Sequence, residues 1–309
     1  MSQERRPWLD THIHVSDIGP DGSARHNMLQ DLLAVLDVPD ADLGFVVSCD
    51  GPYFGKMLQS AEGVLEANRF VHELVSRAPG KLYGACCVNP HFPRESLLAM
   101  ELCFERWGFV MLGEMLQYMM DYEMDSDEVE PLLLRAESYG VPVQVHLGTY
   151  WHKDHTGSTD GMHHMRDLLR VADRVPGVNY ILAHAIGCGP TPAFVSWADM
   201  FLDTLGGVFE RFPDNFWVEI RDFHSPALAR TLREVPTNRL LAGTDWTTRI
   251  GPPFQPYGTV FDIKADENPF PPGVDAFVRF LRQAGATEEA IGRIGYANAA
   301  ELMRTGDGP

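Results

Sequence analysis

The chain has 309 residues, 45% hydrophobic and 22% charged, a soluble globular composition long enough for two ordinary domains or one large α/β barrel. A formal net charge of −18 repels phosphate backbones and argues against nucleic acid as a partner, and no apolar run approaches the roughly 18 residues of a membrane span. The N-terminus MSQERRPW lacks the apolar core of a signal peptide, so a cytoplasmic location is the expectation; five cysteines without a Cys-x-x-Cys pair read as buried reduced thiols.

In chain order, eight apolar runs bounded by turn residues predict strands. They are Trp8–Val15, Leu43–Asp50, Leu82–Asn89, Gly108–Glu114, Pro142–Gly148, Asn179–Ala185, Phe216–Ile220 and Leu240–Trp246. Between them lie amphipathic segments of helical length: Ala61–Arg77, Arg94–Trp107, Asp127–Tyr139, Met162–Arg174 and Ala193–Phe212. Such alternation, with near-continuously apolar strands, predicts an α/β fold: one closed (β/α)8 TIM barrel spanning residues 1–309. Ala78-Pro79-Gly80 and Val175-Pro176-Gly177 fall where helix-to-strand turns belong, so no linker divides the chain. The segment 247–273 is rich in Pro, Gly and aromatics without periodicity; it reads either as a lid over the substrate or as a structural wrap. Helices over Gly273–Ala284 and Glu288–Arg304 close the chain.

The first run carries the first chemical signal. His12 and His14 are two residues apart on a strand, so their imidazoles aim at one point, a chelating arrangement. Alone the pair is weak, since 12 histidines in 309 residues yield about 0.5 such pairs by chance. The later strands strengthen it: the fourth ends in Gly113-Glu114, the fifth in His146, the sixth in His184 and the eighth in Asp245. These ends share one mouth of a barrel, where an apolar wall has no structural use for so many polar groups.

These stretches resemble the amidohydrolase superfamily, in the branch of metal-dependent TIM-barrel hydrolases and decarboxylases. The matching motifs are Asp10-Thr11-His12-Ile13-His14, Gly140-Val141-Pro142-Val143-Gln144-Val145-His146, Leu182-Ala183-His184 and Arg239-Leu240-Leu241-Ala242-Gly243-Thr244-Asp245-Trp246. The resemblance implies that His12, His14 and His146 are metal ligands, and that Asp245 is both ligand and proton acceptor. It also implies that His184 is a second-metal ligand or a base that polarises the substrate. Glu114 sits where some hydrolase relatives carry a carboxylate bridging two cations; the alternative makes it a partner of a single metal's histidine. The expectation is two divalent cations per chain, with Zn, Fe or Mn all suited to N and O ligands. Such cations lower the pKa of a bound water and generate hydroxide for attack on an ester, thioester, lactone or amide carbonyl, the chemistry of a thioesterase or lactonase. The alternative activity is non-oxidative decarboxylation of an aromatic or unsaturated acid.

Substrate determinants are less specific. Trp151 and His152 follow the fifth strand, together with His155, His163 and His164; Arg221 and His224 follow the seventh, and Arg249 lies in the 247–273 segment. Arg221 and Arg249 are suited to clamping a carboxylate or phosphate, or to an ordinary ion pair. The expected partner is a small molecule, with an anionic one among the candidates; a homo-oligomer is compatible with the sequence.

Overall fold

A computed structural model describes residues 5–16, 28–50, 60–147, 162–184, 192–247 and 273–305. Its strands are β1 (Arg6–Val15), β2 (Ala41–Cys49), β3 (Leu82–Cys86), β4 (Met111–Met115), β5 (Val143–His146), β6 (Tyr180–Ala183), β7 (Phe216–Ile220), β8 (Leu240–Ala242) and β9 (Trp246–Thr247). They form one parallel sheet in the order β8-β7-β6-β5-β4-β3-β2-β1-β9. Only Gly243-Thr244-Asp245 separates β8 from β9; β8 pairs with β7 and β9 with β1. The eighth barrel strand is therefore one interrupted strand, and the ring of the (β/α)8 barrel closes through it.

β1 and β2 begin two residues before the apolar runs and β7 matches its run, whereas β3, β4, β5, β6 and β8 are shorter than the runs suggest, for local reasons. Gly108 adopts φ +68°, a left-handed conformation that stops the preceding helical turn and delays β4 until Met111. Past β3, the Cys87 N–H donates to Asn68 Oδ1 at 2.9 Å and the Asn89 N–H to Ser96 Oγ at 3.1 Å, so side chains replace the strand ladder. The helix Glu288–Arg304 expected from the sequence is divided by a π-turn at Arg293–Ala297.

Packing explains the two layers. Ser60 caps the helix Ala61–Val75 by accepting from the Gly63 N–H, and the helix turns Val64, Val71 and Leu74 onto the sheet. Each such side chain, once buried, contributes about 1.5–3 kcal/mol. Inside the barrel a separate apolar cluster, including Leu9, Val46, Ala85, Met111, Ile181, Trp217 and Leu241, forms a floor sealed by Ala299, Leu302 and Met303. Side chains two residues further along these strands lie one layer higher, which is where the polar groups begin. Cys49, Cys86, Cys87 and Cys103 are free and buried as expected, and Cys188 lies outside the described residues. Among the described residues no helix is long and apolar enough to cross a membrane.

Candidate metal centre

Strand irregularities deliver the ligands. Between Asp10 and Ile13, β1 spends one residue more than β2, and between Leu112 and Met115, β4 spends one more than β5. These bulges coincide with His12 and with Gly113-Glu114 and re-aim the side chains they carry. Gly113 has φ +136°, and a Cβ on it would lie 2.7 Å from the Gln144 carbonyl oxygen, so glycine is required there. His184 and Asp245, at φ +61° and +55°, occupy left-handed backbone uncommon for residues other than glycine. Asp10 fixes the seam: its carboxylate accepts from the His12 N–H (3.0 Å), the Thr244 N–H (3.0 Å) and Thr244 Oγ (2.6 Å).

The six candidate ligands are brought together. His12 Nδ1 donates to Glu219 Oε1 at 2.8 Å, and His14 Nδ1 donates to the Cys49 carbonyl at 2.8 Å. With Nδ1 donating to these acceptors, each ring can present its Nε2 to a cation once that nitrogen is unprotonated; Ser48 Oγ also lies 2.8 Å from His14 Nδ1. Those two Nε2 atoms lie 2.9 Å apart. Two unprotonated nitrogens at that distance would repel, and either a proton between them or a shared cation relieves the contact; the donor set fits a cation. Asp245 Oδ1 completes this group, 3.3 Å from His14 Nε2 and 3.7 Å from His12 Nε2.

Glu114 faces two ways. Its Oε2 is 3.3 Å from both His12 Nε2 and His14 Nε2, whereas its Oε1 accepts from His146 Nδ1 at 2.9 Å and His184 Nε2 at 3.0 Å. Three groups of ligand atoms, each within 4.8 Å, can hold a metal ion: His12-His14-Asp245, Glu114-His146-His184 and His12-His184-Glu219.

Charge follows from this clustering. Burial disfavours an ionised Glu114, but His12, His146 and His184 outweigh it and hold the carboxyl well below the usual range. Burial likewise disfavours an ionised Asp245, but His184, His14, His12 and Arg221 outweigh it and hold the carboxyl below the usual range. Burial lowers the basicity of His12, yet Glu219 and Glu114 raise it well above the ordinary imidazole value. His14 reaches about 10: burial opposes, and Asp245 and Glu114 prevail. These shifts favour protons on His12 and His14 wherever no cation takes their place.

The substrate candidates divide. Arg221, its side chain 8% exposed, places Nη1 3.6 Å from Asp245 Oδ2. His224 is instead beside Phe280, with ring centroids 6.2 Å apart, and belongs to none of the ligand groups. His164 lies in the first turn of the helix Met162–Arg174 with its ring 6.2 Å from that of His146, and the Tyr118 ring lies 4.4 Å from the His146 ring. Trp151, His152, His155, Arg249 and all but the end residues of the expected lid lie outside the described residues.

Sequence reasoning missed Glu219 and Gln144. Glu219 is wholly buried on β7, and its Oε2 accepts from Gln144 Nε2 at 2.6 Å. Gly243 makes room for it, since a Cβ there would lie 2.5 Å from the Glu219 carboxyl carbon. The signal was present: a Glu and a Gln inside buried parallel strands are costly unless partnered.

Comparison with known proteins agrees with this picture. The amidohydrolase family model matches residues 9–305. A search of curated proteins finds no match. Among solved structures, 2,6-dihydroxybenzoate decarboxylase from Rhizobium superposes with a TM-score of 0.62 at 16% identity, covering 98% of this chain and 99% of that one. A dihydroxybenzoic acid decarboxylase from Polaromonas sp., with bound manganese and the inhibitor 2-nitroresorcinol, gives 0.62 at 15% identity, covering 98% and 97%. The 4-oxalomesaconate hydratase of Rhodopseudomonas palustris gives 0.66 at 14% identity, covering 96% of each chain. With the family match spanning all the strands and ligand positions described above, this chain belongs to the amidohydrolase family.

Proposed function

We propose that this protein is a metal-dependent hydrolase acting on an ester, thioester, lactone or amide carbonyl of a small, anionic substrate, with two divalent cations that His12, His14 and Asp245 on one side and His146 and His184 on the other would hold, Glu114 standing between the two sets. The observation that carries this reading is the split carboxylate: one oxygen of Glu114 faces His12 and His14, the other His146 and His184. A carboxylate so shared holds two ligand sets at a common spacing, as two-metal hydrolytic sites require. The imidazole and carboxylate donors suit Zn, Fe or Mn.

Cations bound here supply an acidified water and positive charge against the carbonyl oxygen. The protein's residues do the rest. Asp245, kept ionised and 21% exposed, accepts a proton at its carboxylate and returns it to the leaving group. His184, opposite Asp245 Oδ2 at 3.7 Å, orients that carboxylate. Arg221 offers its guanidinium to an anionic group on the substrate.

A second reading has its own support. Two of the three structures compared above are decarboxylases of dihydroxybenzoic acids, one with manganese, so non-oxidative decarboxylation of an aromatic acid by the same site is the competing activity. Metal analysis of the purified protein, with a panel of p-nitrophenyl esters, acyl thioesters, lactones and aromatic acids, separates the two. Two metals with ester or lactone turnover is the expected result; one metal with carbon dioxide release overturns it.

A further inference from the structure

The two ligand sets differ in what stands behind them. His146 and His184 share one oxygen of Glu114, and His14 leans on a neutral carbonyl, that of Cys49. His12 leans on a full carboxylate, Glu219, at 2.8 Å. That carboxylate has no solvent exposure. Its other oxygen accepts only from the uncharged Gln144 amide among the contacts described for it. An anion so enclosed is compensated through the imidazole it touches, which raises the electron density at His12 Nε2 on the far side of the ring. The set His12-His14-Asp245 therefore has two carboxylates in close contact besides Glu114, Asp245 at 3.3 Å from His14 and Glu219 hydrogen-bonded to His12, whereas at the His146-His184 set Asp245 comes no nearer than 3.7 Å to His184 Nδ1 and Glu219 approaches His184 without a hydrogen bond described between them.

Resting on the proposed metal site, we infer that Glu219 is a positioning residue that makes the two cation positions unequal: the His12-His14-Asp245 position fills first and tightly, and the His146-His184 position fills only at higher cation concentration. The chain then passes through a singly loaded form, and cation supply sets the fraction that is fully assembled. Gly243 is part of the device, because any side chain there displaces the Glu219 carboxyl from His12.

Titration of the metal-free protein with manganese, read by calorimetry and by electron paramagnetic resonance, tests this without reference to turnover. The wild-type chain is expected to show two dissociation constants at least tenfold apart. Glu219→Gln, which keeps the shape and removes the charge, is expected to weaken the first by about 10- to 100-fold and leave the second within about threefold. Gln144→Met leaves the charge and removes only its neutral donor, so the first constant is expected not to weaken; it keeps the test open if Glu219→Gln does not fold. Equal wild-type constants, equal weakening of both by Glu219→Gln, or a first constant lost in Gln144→Met would each overturn the inference. A single manganese per wild-type chain would sink the two-cation reading instead, and Glu219→Gln would still report on that one constant.

Discussion

The two ends of this barrel are built on opposite terms. At the floor the strands are in register, Trp8 stacks on Phe277 with ring centroids 6.1 Å apart, and Asn298 Nδ2 donates to the Thr237 and Leu240 carbonyls at 2.7 and 2.8 Å. Arg239 pairs with Asp214 at 2.9 Å and lies over the Trp217 ring. At the rim two strands bulge, two residues other than glycine sit at positive φ, and carboxylates and imidazoles crowd together. One end spends its residues on cohesion and the other on a geometry that cohesion must hold in place. Changes at the floor should move stability, and changes at the rim should move metal content and turnover.

The strongest way to break that division is Glu114→Gln. Metal content is expected to fall from two per chain to one, with turnover abolished, measured by elemental analysis and product formation. An unchanged stoichiometry would remove Glu114 from the cations. Asp245→Asn should lower kcat by about 10²- to 10⁴-fold, as loss of a proton acceptor does, with little change in the thermal midpoint. A larger thermal than kinetic effect would make Asp245 a floor-type residue. Asn298→Ala, at the other end, strands two strand-end carbonyls and should cost about 1–3 kcal/mol in urea denaturation while metal content stays constant.

Two gentler tests sharpen the comparison. His14 is held near pKa 10 in the metal-free site, so a cation must displace its proton at neutral pH. Affinity should therefore rise with pH, about tenfold per unit for each proton released, throughout the range below that value; a flat affinity between about pH 6 and 8 contradicts it. Glu288, exposed near the floor, has its carboxyl pulled down to about 2 by Arg282 and Arg6. Its contribution is present above the ordinary glutamate value and is lost as pH falls towards 2. Water screens the pairs, so Glu288→Gln should shift the thermal midpoint at pH 7 by no more than about one degree.

Much of the rim was legible from residue types alone. His12, His14, Glu114, His146, His184 and Asp245 stand out because polar residues at apolar strand ends need a purpose, and all six meet. What supports them was not legible. Glu219 and Gln144 become partners only when β7 and β5 face each other across the barrel, and no spacing along the chain encodes that distance. The bulges at His12 and Gly113 arise from mismatched counts on neighbouring strands, a property of pairs and not of either run. Strand ends were overextended at Cys87–Asn89 for a similar reason: Asn68 and Ser96, from elsewhere in the chain, claim that backbone.

Asp10 and Thr244 are bonded across a separation of 234 residues, and the donors on either side of that bond are His12, His14 and Asp245. A nascent polypeptide cannot assemble this trio until nearly all of it has been made and its beginning has found its end. On the proposed metal site, cation capture would therefore coincide with ring completion, and a bound ion would act as a clasp on the youngest joint of the fold. Fragments lacking the last third, or permuted chains cut open between β8 and β1, should for that reason be poor at retaining metal even where their remaining strands are sound.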